Sequence, residues 1–438
     1  MTSLTGTRNP ALLHGNLWRH ADFLRLWLGE TISLFGDQIT LIALPTIAIL
    51  LLHATAFQVG VLVACSRITS SVVALVAGVY VDRLPRRMVM IVTDLGRLLT
   101  LATIPVAFLC GWLTLTQLYG VAILTGGLGV FFDVAYAAYL PSLIERENLI
   151  EGNARLAVSD SLATIVGPGL AGLLIQVFGA PLAVVADALS FLASIVGITS
   201  IRTQETETTQ DGHRWTLRHL LGELREGLRV TFGHPALGRL SMSIALSNAG
   251  MVLGKTIFLL FAYRTLHLQP GIVGLILASG GVTALLGAMV AATLGKRLGI
   301  IPTLALSRII DGGSLLLVPL ALLAPMSAVP ILFLAWMVSG FAGPIWTVNS
   351  SSLRQRVTPD ALQGRVAATI RTVAFSGSAI GALISGLIAA LAITLAGQIN
   401  GLGLAVAVGG ALAASSAFWV TRTPLDEERE LRALRMHI

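Results

Sequence analysis

Charged side chains are scarce in this sequence of 438 residues. Aspartate, glutamate, lysine and arginine together make up 12% of it, whereas soluble proteins carry about 25%. Hydrophobic residues reach 55%, and the mean hydropathy is +0.83. This composition excludes the soluble enzyme classes and predicts a membrane protein.

Cysteine is nearly absent as well. Cys65 and Cys110 both lie in apolar stretches, so neither a disulfide framework nor a cysteine metal site is expected. The eight histidines, His53 and His267 among them, are scattered in loops. We therefore predict no metal site, no cofactor and no enzyme activity. The polar residues 1–22 lack a cleavable signal pattern.

Long apolar runs dominate what remains. A helix needs about 20 mostly apolar residues to cross a hydrocarbon layer of about 30 Å. The expected fold is an all-α membrane protein with twelve transmembrane helices in two six-helix, pseudo-symmetric halves. The predicted spans are 23–52, 57–80, 88–110, 114–138, 154–178, 181–201, 238–263, 271–294, 302–323, 329–351, 367–396 and 400–421.

The longest polar stretch separates the two halves. We divide the chain into an N-terminal half (1–201), a cytoplasmic linker (202–237), a C-terminal half (238–421) and a cytoplasmic tail (422–438). Within the linker, leucines at helical spacing lie opposite arginines, which predicts an amphipathic helix on the membrane surface. These residues are Leu217, Leu220, Leu221, Leu224, Leu228, Arg218, Arg225 and Arg229.

Basic residues outnumber acidic residues, 29 to 22. In a membrane protein such an excess marks cytoplasmic loops rather than nucleic-acid binding. Most lie in the loops that share a side with the termini, and only Arg264 falls in the opposite loops. We therefore expect a multi-pass protein of the cell membrane with both termini in the cytoplasm.

The two halves are related in sequence. One offset aligns Gly60 with Gly274, and it also places the pair Asp94 and Arg97 of span 3 over Arg308 and Asp311 of span 9. An acid and a base three residues apart share one helix face, so we expect each pair to neutralise itself at a helix contact. Two such halves are the architecture in which a transporter rocks around a midplane site.

The loop after span 2, residues 78–87, resembles the loop signature of the major facilitator superfamily. The resemblance implies a cytoplasmic gate in which this loop docks on span 11, with Arg371 pairing with Asp82. Physically, Gly78 permits close helix approach and the arginines hold the turn in the cytoplasm. The gate residues are Gly78, Asp82, Arg83, Arg86, Arg87 and Arg371.

In span 5, residues Gly167, Pro168 and Gly172 are similar to the signature of the superfamily's drug:proton antiporters, where it favours export. Ordinary small-residue packing of spans 5 and 8 explains them about as well. Further segments resemble the branch of macrolide-efflux and siderophore-export proteins. They are 93–97, 139–141, 186–191, 224–229 and 364–366. The arginine that many proton antiporters carry early in span 4 is missing, because 119–130 holds no charge.

Charges inside the spans are the candidates for function, since each is costly in a bilayer. Asp37 and Arg67 lie at one depth, which predicts an ion pair with Asp37 as the coupling carboxylate. The alternative is a static, purely structural salt bridge. Glu30, seven residues before Asp37 and on the same helix face, is a candidate relay for protons, and Asp187 is a further coupling candidate.

Other residues within the spans have different expected roles. Asp133 could neutralise Arg97. The candidate residues of a substrate cavity are Asn248, Lys255 and Trp346.

Together these observations predict a proton-coupled exporter of small amphipathic or lipophilic compounds, such as a drug, an antibiotic or a siderophore. No nucleotide site is present, so the energy source must be an ion gradient. The expected partners are a small-molecule substrate, protons and membrane lipids, and the resemblance implies a monomer. Two alternatives stay open: a lipid or lysophospholipid flippase, and a non-transporting scaffold or sensor.

Overall fold

The computed structural model describes residues 16–81, 83–203 and 217–423. Within these ranges, eleven helical segments are apolar and long enough to cross a bilayer. The α-helices are α1 (Ala21–Thr46), α2 (Ala56–Val81), α3 (Arg86–Leu109), α4 (Leu115–Leu143), α5 (Leu149–Phe178), α6 (Ala180–Thr199), α7 (Leu217–Gly233), α8 (Pro235–Leu260), α9 (Pro270–Leu298), α10 (Ile300–Leu316), α11 (Ala328–Val357), α12 (Gln363–Ser415) and α13 (Ala417–Thr421). A π-helical turn extends α1 over Ile47–Leu51 and α8 over Phe261–Thr265.

The last long helix contains two spans. α12 has 53 residues and would measure about 80 Å if straight, more than twice the hydrocarbon thickness. It breaks at Gly397, whose φ of 78° and ψ of 167° fall in a region essentially restricted to glycine. Beyond the break, Gly401 packs against Ala392 and Ile393, so the chain doubles back on itself. The predicted division into spans 367–396 and 400–421 is confirmed, and with it twelve spans.

One end of the bundle, which we call the terminal face, carries the start of α1. There the Asp22 carboxylate accepts hydrogen bonds from the backbone N–H groups of Arg202 and Thr203, just after α6, at 3.1 and 3.0 Å. Arg87, at the start of α3, donates to the Thr199 carbonyl at the end of α6 at 2.8 Å. Odd-numbered spans of this half therefore begin at the terminal face and even-numbered spans end there.

The opposite end, the far face, holds contacts between the two halves. Arg264 donates to the Ala54 carbonyl at 2.8 Å, and the hydroxyls of Thr46 and Tyr263 lie 3.1 Å apart. Near the same end, a Cβ at Gly60 of α2 would lie only 2.8 Å from the Ala382 carbonyl of α12. At the terminal end of α2, by contrast, none of the described residues lies within 4 Å of a Cβ placed on Gly78. The halves are thus in close contact at the far face, and Gly78 makes no such contact at the terminal face with the described part of the chain.

α7 attaches the linker to the C-terminal half. Its Glu226 accepts a hydrogen bond from Arg365 of α12 at 2.9 Å, and Gly227 lies directly against Thr369. The helix expected in the linker is present. The side chains of Arg218 and of the leucines 217, 220, 221 and 224 lie outside the described residues, so its amphipathic character stays a prediction. Residues 204–216 of the linker and 424–438 of the tail also lie outside them.

Candidate functional site

A cavity of about 350 Å³ lies within the N-terminal half, and we call it the N-terminal cavity. Helices α1, α2, α3, α4 and α6 enclose it. Its wall combines apolar side chains with a concentration of charge that is unusual inside a membrane protein. The polar and charged residues in the wall are Asp37, Thr40, Ser66, Arg67, Ser70, Arg97, Thr125, Asp133 and Asp187.

Arg97 of α3 lies in the wall of this cavity and is the residue around which its charged groups are arranged. Its guanidinium donates a short hydrogen bond to the carboxylate of Asp37, and it lies 3.7 Å from the Asp94 carboxylate on its own helix. The guanidinium carbon also stacks over the Phe191 ring, 4.0 Å from the ring centroid. The Arg97 side chain is only 9% exposed, whereas that of Asp37 is 42% exposed and faces the cavity. Asp37 is therefore both paired and accessible.

The predicted ion pair between Asp37 and Arg67 is wrong. α1 and α3 both pack on α6, and this common support brings Arg97 to Asp37. α2 packs mainly on α4 and α12, so Arg67 lines another part of the same cavity. A shared depth along two helices does not determine which neighbouring helix presents the partner.

Asp187 of α6 forms a hydrogen bond with Thr40 of α1, which lies one helical turn after Asp37. One of its oxygens accepts a short hydrogen bond from the Thr40 hydroxyl, and the other accepts from Ser190 at 3.2 Å. Asp187 is fully buried. Thr40 and Phe191 were missed in the sequence, although each follows a singled-out aspartate by three or four residues and therefore shares its helix face.

Four carboxylates surround Arg97 closely enough to interact with it electrostatically: Asp37, Asp94, Asp133 and Asp187. The direct ion pairs go to Asp37 and, more weakly, to Asp94, so the expected neutralisation by Asp133 is secondary. Among the described residues, these four carboxylates outnumber the two cations of the cavity wall, Arg67 and Arg97. The N-terminal cavity therefore suits a proton or a cationic group.

Glu30 lies two helical turns from Asp37, toward the terminal face. Its Oε2 is buried and has no hydrogen-bond partner within the described part of the chain, and the same holds for the Tyr136 hydroxyl. The two groups are close enough to interact electrostatically, as are Glu30 and Asp37. This placement between the terminal face and Asp37 is compatible with the relay role, which stays a prediction.

A close helix contact supports this arrangement and yields a prediction. A Cβ at Gly36 would collide with the Asp187 carboxylate and with Ser190. We expect Gly36→Ala to lower the thermal unfolding midpoint in detergent, because overpacking a dense contact typically costs 1–3 kcal/mol. Gly120→Ala is the matched control, since a Cβ there meets nothing within 4 Å. Equal midpoints for the two variants would contradict the tight contact.

A second cavity, of about 530 Å³, lies within the C-terminal half, and we call it the C-terminal cavity. Helices α8, α10, α11 and α12 enclose it. Arg308 lies 4.0 Å from Asp311, so the repeated acid–base pair is present here too. Asn248 and Trp346 lie in its wall. Lys255 is exposed on α8, seven residues after Asn248 and hence on the same helix face.

The described gate residues at the end of α2 and the start of α3 lie at the terminal face. Arg86 donates to the Ala138 carbonyl at 2.9 Å, and Arg83 is exposed. Arg371 is exposed in the wall of the C-terminal cavity. Asp82 lies outside the described residues, so its pairing with Arg371 stays a prediction. The close approach expected at Gly78 is not found among the described residues, none of which lies within 4 Å of a Cβ placed there.

The Gly-Pro segment of α5 lies at the contact with α9. A Cβ at Gly172 would lie 2.8 Å from the Cα of Gly274, and a Cβ at Gly274 would collide with the Pro168 carbonyl. Gly167 packs on Gln38 of α1. α5 and α9 are the predicted spans 5 and 8, so the close packing expected between these spans is present. This contact lies toward the far face.

The sequence model of the Major Facilitator Superfamily matches residues 26–382 of this chain. The chain belongs to the major facilitator superfamily. It is a multi-pass membrane transporter of small molecules, and its twelve spans in two related halves are the fold of that superfamily. The resemblance found in the loop after α2 is thereby confirmed at the level of the family.

Curated relatives cover most of the chain. The multidrug efflux pump Tap of Mycolicibacterium fortuitum is 29% identical over 358 residues, 80% of this chain and 85% of Tap. The enterobactin exporter EntS of Citrobacter koseri is 25% identical over 397 residues, 88% of this chain and 90% of EntS. The chain is thus similar to exporters of both a drug and a siderophore type.

A solved bacterial homologue of the iron transporter ferroportin shares the fold. Its inward-facing structure matches with a TM-score of 0.70 at 18% identity, over 93% of this chain and 100% of that chain. Its outward-facing structure matches with a TM-score of 0.55 at 19% identity, over 92% and 98%. Both structures therefore show the same fold as this chain.

Proposed function

We propose that this transporter is a proton-coupled exporter of small amphipathic or lipophilic compounds across the cell membrane. The observation that carries the proposal is the exposed Asp37 carboxylate, bound to the buried Arg97 at the edge of the N-terminal cavity. Ionisable residues in the interior of a transmembrane bundle mark ion and substrate pathways. The similarity to Tap and EntS supports export of a drug or siderophore type of compound.

The coupling step uses the groups around Arg97. When Asp37 is ionised, it and Arg97 neutralise each other. When Asp37 takes up a proton, it loses its charge. The Arg97 guanidinium then interacts electrostatically with the remaining carboxylates, Asp94 and Asp187 among them. Because α1, α3 and α6 meet at this pair, its formation and loss can bias how these helices pack. Protons and substrate would then occupy the cavity in alternation.

The orientation of the protein in the membrane follows from the distribution of its basic side chains. Basic side chains concentrate in the loops and helix ends of the terminal face, and the positive-inside rule places such loops in the cytoplasm. They include Arg83, Arg86, Arg87, Lys296, Arg297, Arg354 and Arg356. Both termini are then cytoplasmic, and the conformation described above is closed on the side opposite the cytoplasm. We further propose that the molecule works as a monomer, because each half carries its own cavity within one chain.

The test is reconstitution in liposomes that contain a pH-sensitive dye. A pH gradient is imposed, and proton flux is recorded while lipophilic antibiotics, siderophores and lysolipids are added in turn. We expect at least one compound to raise proton flux above that of protein-free liposomes. If no compound does so while the protein retains its helical content, proton coupling is wrong, and movement of a labelled lysolipid in the same liposomes would identify a flippase instead.

A further inference from the structure

The C-terminal cavity is basic, in contrast to the acidic N-terminal cavity. Three arginines lie in its wall, Arg308 from α10, Arg354 from α11 and Arg371 from α12, and none of the described residues that line it is acidic. Asn248, Thr347, Ser350 and Ser351 add polar groups to the same wall. Arg308 in particular requires an explanation, because a buried cation in a membrane-spanning helix is costly without a partner.

Arg308 is the deepest of the three and is poorly neutralised. The residue is 6% exposed, and its nearest carboxylate, that of Asp311, is 4.0 Å away. The other oxygen of Asp311 already accepts a hydrogen bond from Ser339 at 2.7 Å. The Nε of Arg308 is buried and has no hydrogen-bond partner among the described residues. Since Arg308 lines the cavity and its one ion-pair partner is 4.0 Å away, its charge is available to an anionic group from outside the protein.

Trp346 holds this guanidinium in place. The guanidinium carbon of Arg308 lies 3.5 Å from the centroid of the Trp346 ring, which is the stacked geometry of a cation–π contact. Stacking fixes the plane of the guanidinium and directs hydrogen bonding to its edge, and the edge of a guanidinium matches the two oxygens of a carboxylate or phosphate. The indole adds an apolar surface beside the charged edge.

We propose that the C-terminal cavity is a subsite for the anionic group of the transported compound. The ligand class is an organic anion, a carboxylate, phenolate or phosphate, carried on an aromatic or lipophilic body. Its anionic group bonds to Arg308, and Arg354 adds a second positive charge nearby. The inference rests on the proposed function, since it assigns part of the same compound's binding. It also implies that compounds with both a cationic and an anionic group use both cavities.

Two dyes with one xanthene scaffold and opposite charge provide the test. Fluorescein is anionic and rhodamine 123 is cationic, and binding of each to the purified protein in detergent is measured by fluorescence anisotropy. We expect Arg308→Gln to raise the Kd for fluorescein at least tenfold, because loss of a charge-assisted hydrogen bond is of that size. We expect the Kd for rhodamine 123 to change less than twofold.

Further variants separate recognition from folding. Arg308→Gln leaves Asp311 without its cation, so the double variant Arg308→Gln with Asp311→Asn restores neutrality, and Arg354→Gln tests the half-buried second arginine. Both are expected to weaken fluorescein binding. Arg308→Lys keeps the charge without the planar edge and should recover binding only in part. Arg297→Gln, at an exposed position outside both cavities, is the matched control and should bind fluorescein like the unaltered protein.

The source of the anion is resolved by competition. Displacement of fluorescein by phosphatidylglycerol, but not by phosphatidylcholine, supports an anionic lipid head group as the occupant, whereas displacement by soluble aromatic carboxylates alone supports a soluble compound. Failure of the unaltered protein to bind fluorescein, or equal binding by the Arg308 and Arg297 variants, overturns the anion subsite. Neither result bears on proton flux in liposomes, so the proposed function stands or falls separately.

Discussion

Replacing Asp37 by asparagine is expected to reduce compound-dependent proton flux at least tenfold, to the level of protein-free liposomes. The amide is nearly the same size as the carboxylate but cannot exchange a proton, and it cannot neutralise Arg97. Arg97 would stay bound to the remaining carboxylates in every state of the cycle. The measurement is the liposome assay with the most active compound of the panel.

Asp360→Asn is the matched control for this variant. Asp360 is exposed at the terminal face, outside both cavities, and its side chain accepts a hydrogen bond from Gln363 at 2.9 Å. We expect its proton flux to equal that of the unaltered protein. Undiminished flux in the Asp37 variant would transfer the coupling role to Asp187 or Glu30, and the corresponding Asn and Gln variants would then be measured in the same way.

Replacing Gly274 by leucine is expected to abolish transport by preventing closure at the far face. In the conformation described here, α5 and α9 touch at Gly172 and Gly274, and no side chain fits between their backbones. A leucine would force the helices apart and disfavour this conformation relative to the one that is open at the far face. We expect at least a tenfold fall in compound flux, together with greater labelling of single cysteines placed along the far-face ends of these helices.

Gly120→Leu carries the same change to a helix position where a Cβ meets nothing within 4 Å, so it should transport normally. If the Gly274 variant transports as well as the Gly120 variant, closure of α5 against α9 is not required for the cycle. If labelling at the far face falls in the Gly274 variant, the direction of the conformational shift is wrong.

The fold followed from the sequence because a bilayer permits few solutions. Lipid cannot satisfy backbone groups, so each apolar run of sufficient length must be a helix, and its ends are set by the hydrocarbon thickness. Even the break at Gly397 was placed correctly, because the run 367–421 is far too long for one span. The close contact of α5 with α9 was also anticipated, since small residues mark such contacts.

The site was only partly accessible to the same reasoning. Sequence periodicity gives the depth and face of Asp37 but not the identity of the helices packed beside it, so its partner was assigned to Arg67 rather than to Arg97. Arg97 was singled out with its helical neighbour Asp94 and with Asp133 of the next span, whereas its bond to Asp37 joins α3 to α1. Arg354 was overlooked because it follows the predicted end of its span at residue 351.

The single-glycine break within α12 has a consequence for biogenesis. Because Gly397 reverses the chain with no connecting loop, the last two spans form one helical hairpin whose halves contact each other immediately beyond the turn. Such a hairpin can enter the bilayer as a unit late in synthesis, without transfer of a polar segment to the other side. Helix runs up to the turn on both sides, so an epitope tag or a protease site at the tip would interrupt helical residues. The loop around Gly111 between α3 and α4, which is exposed on the same side, is the better place for a topology reporter.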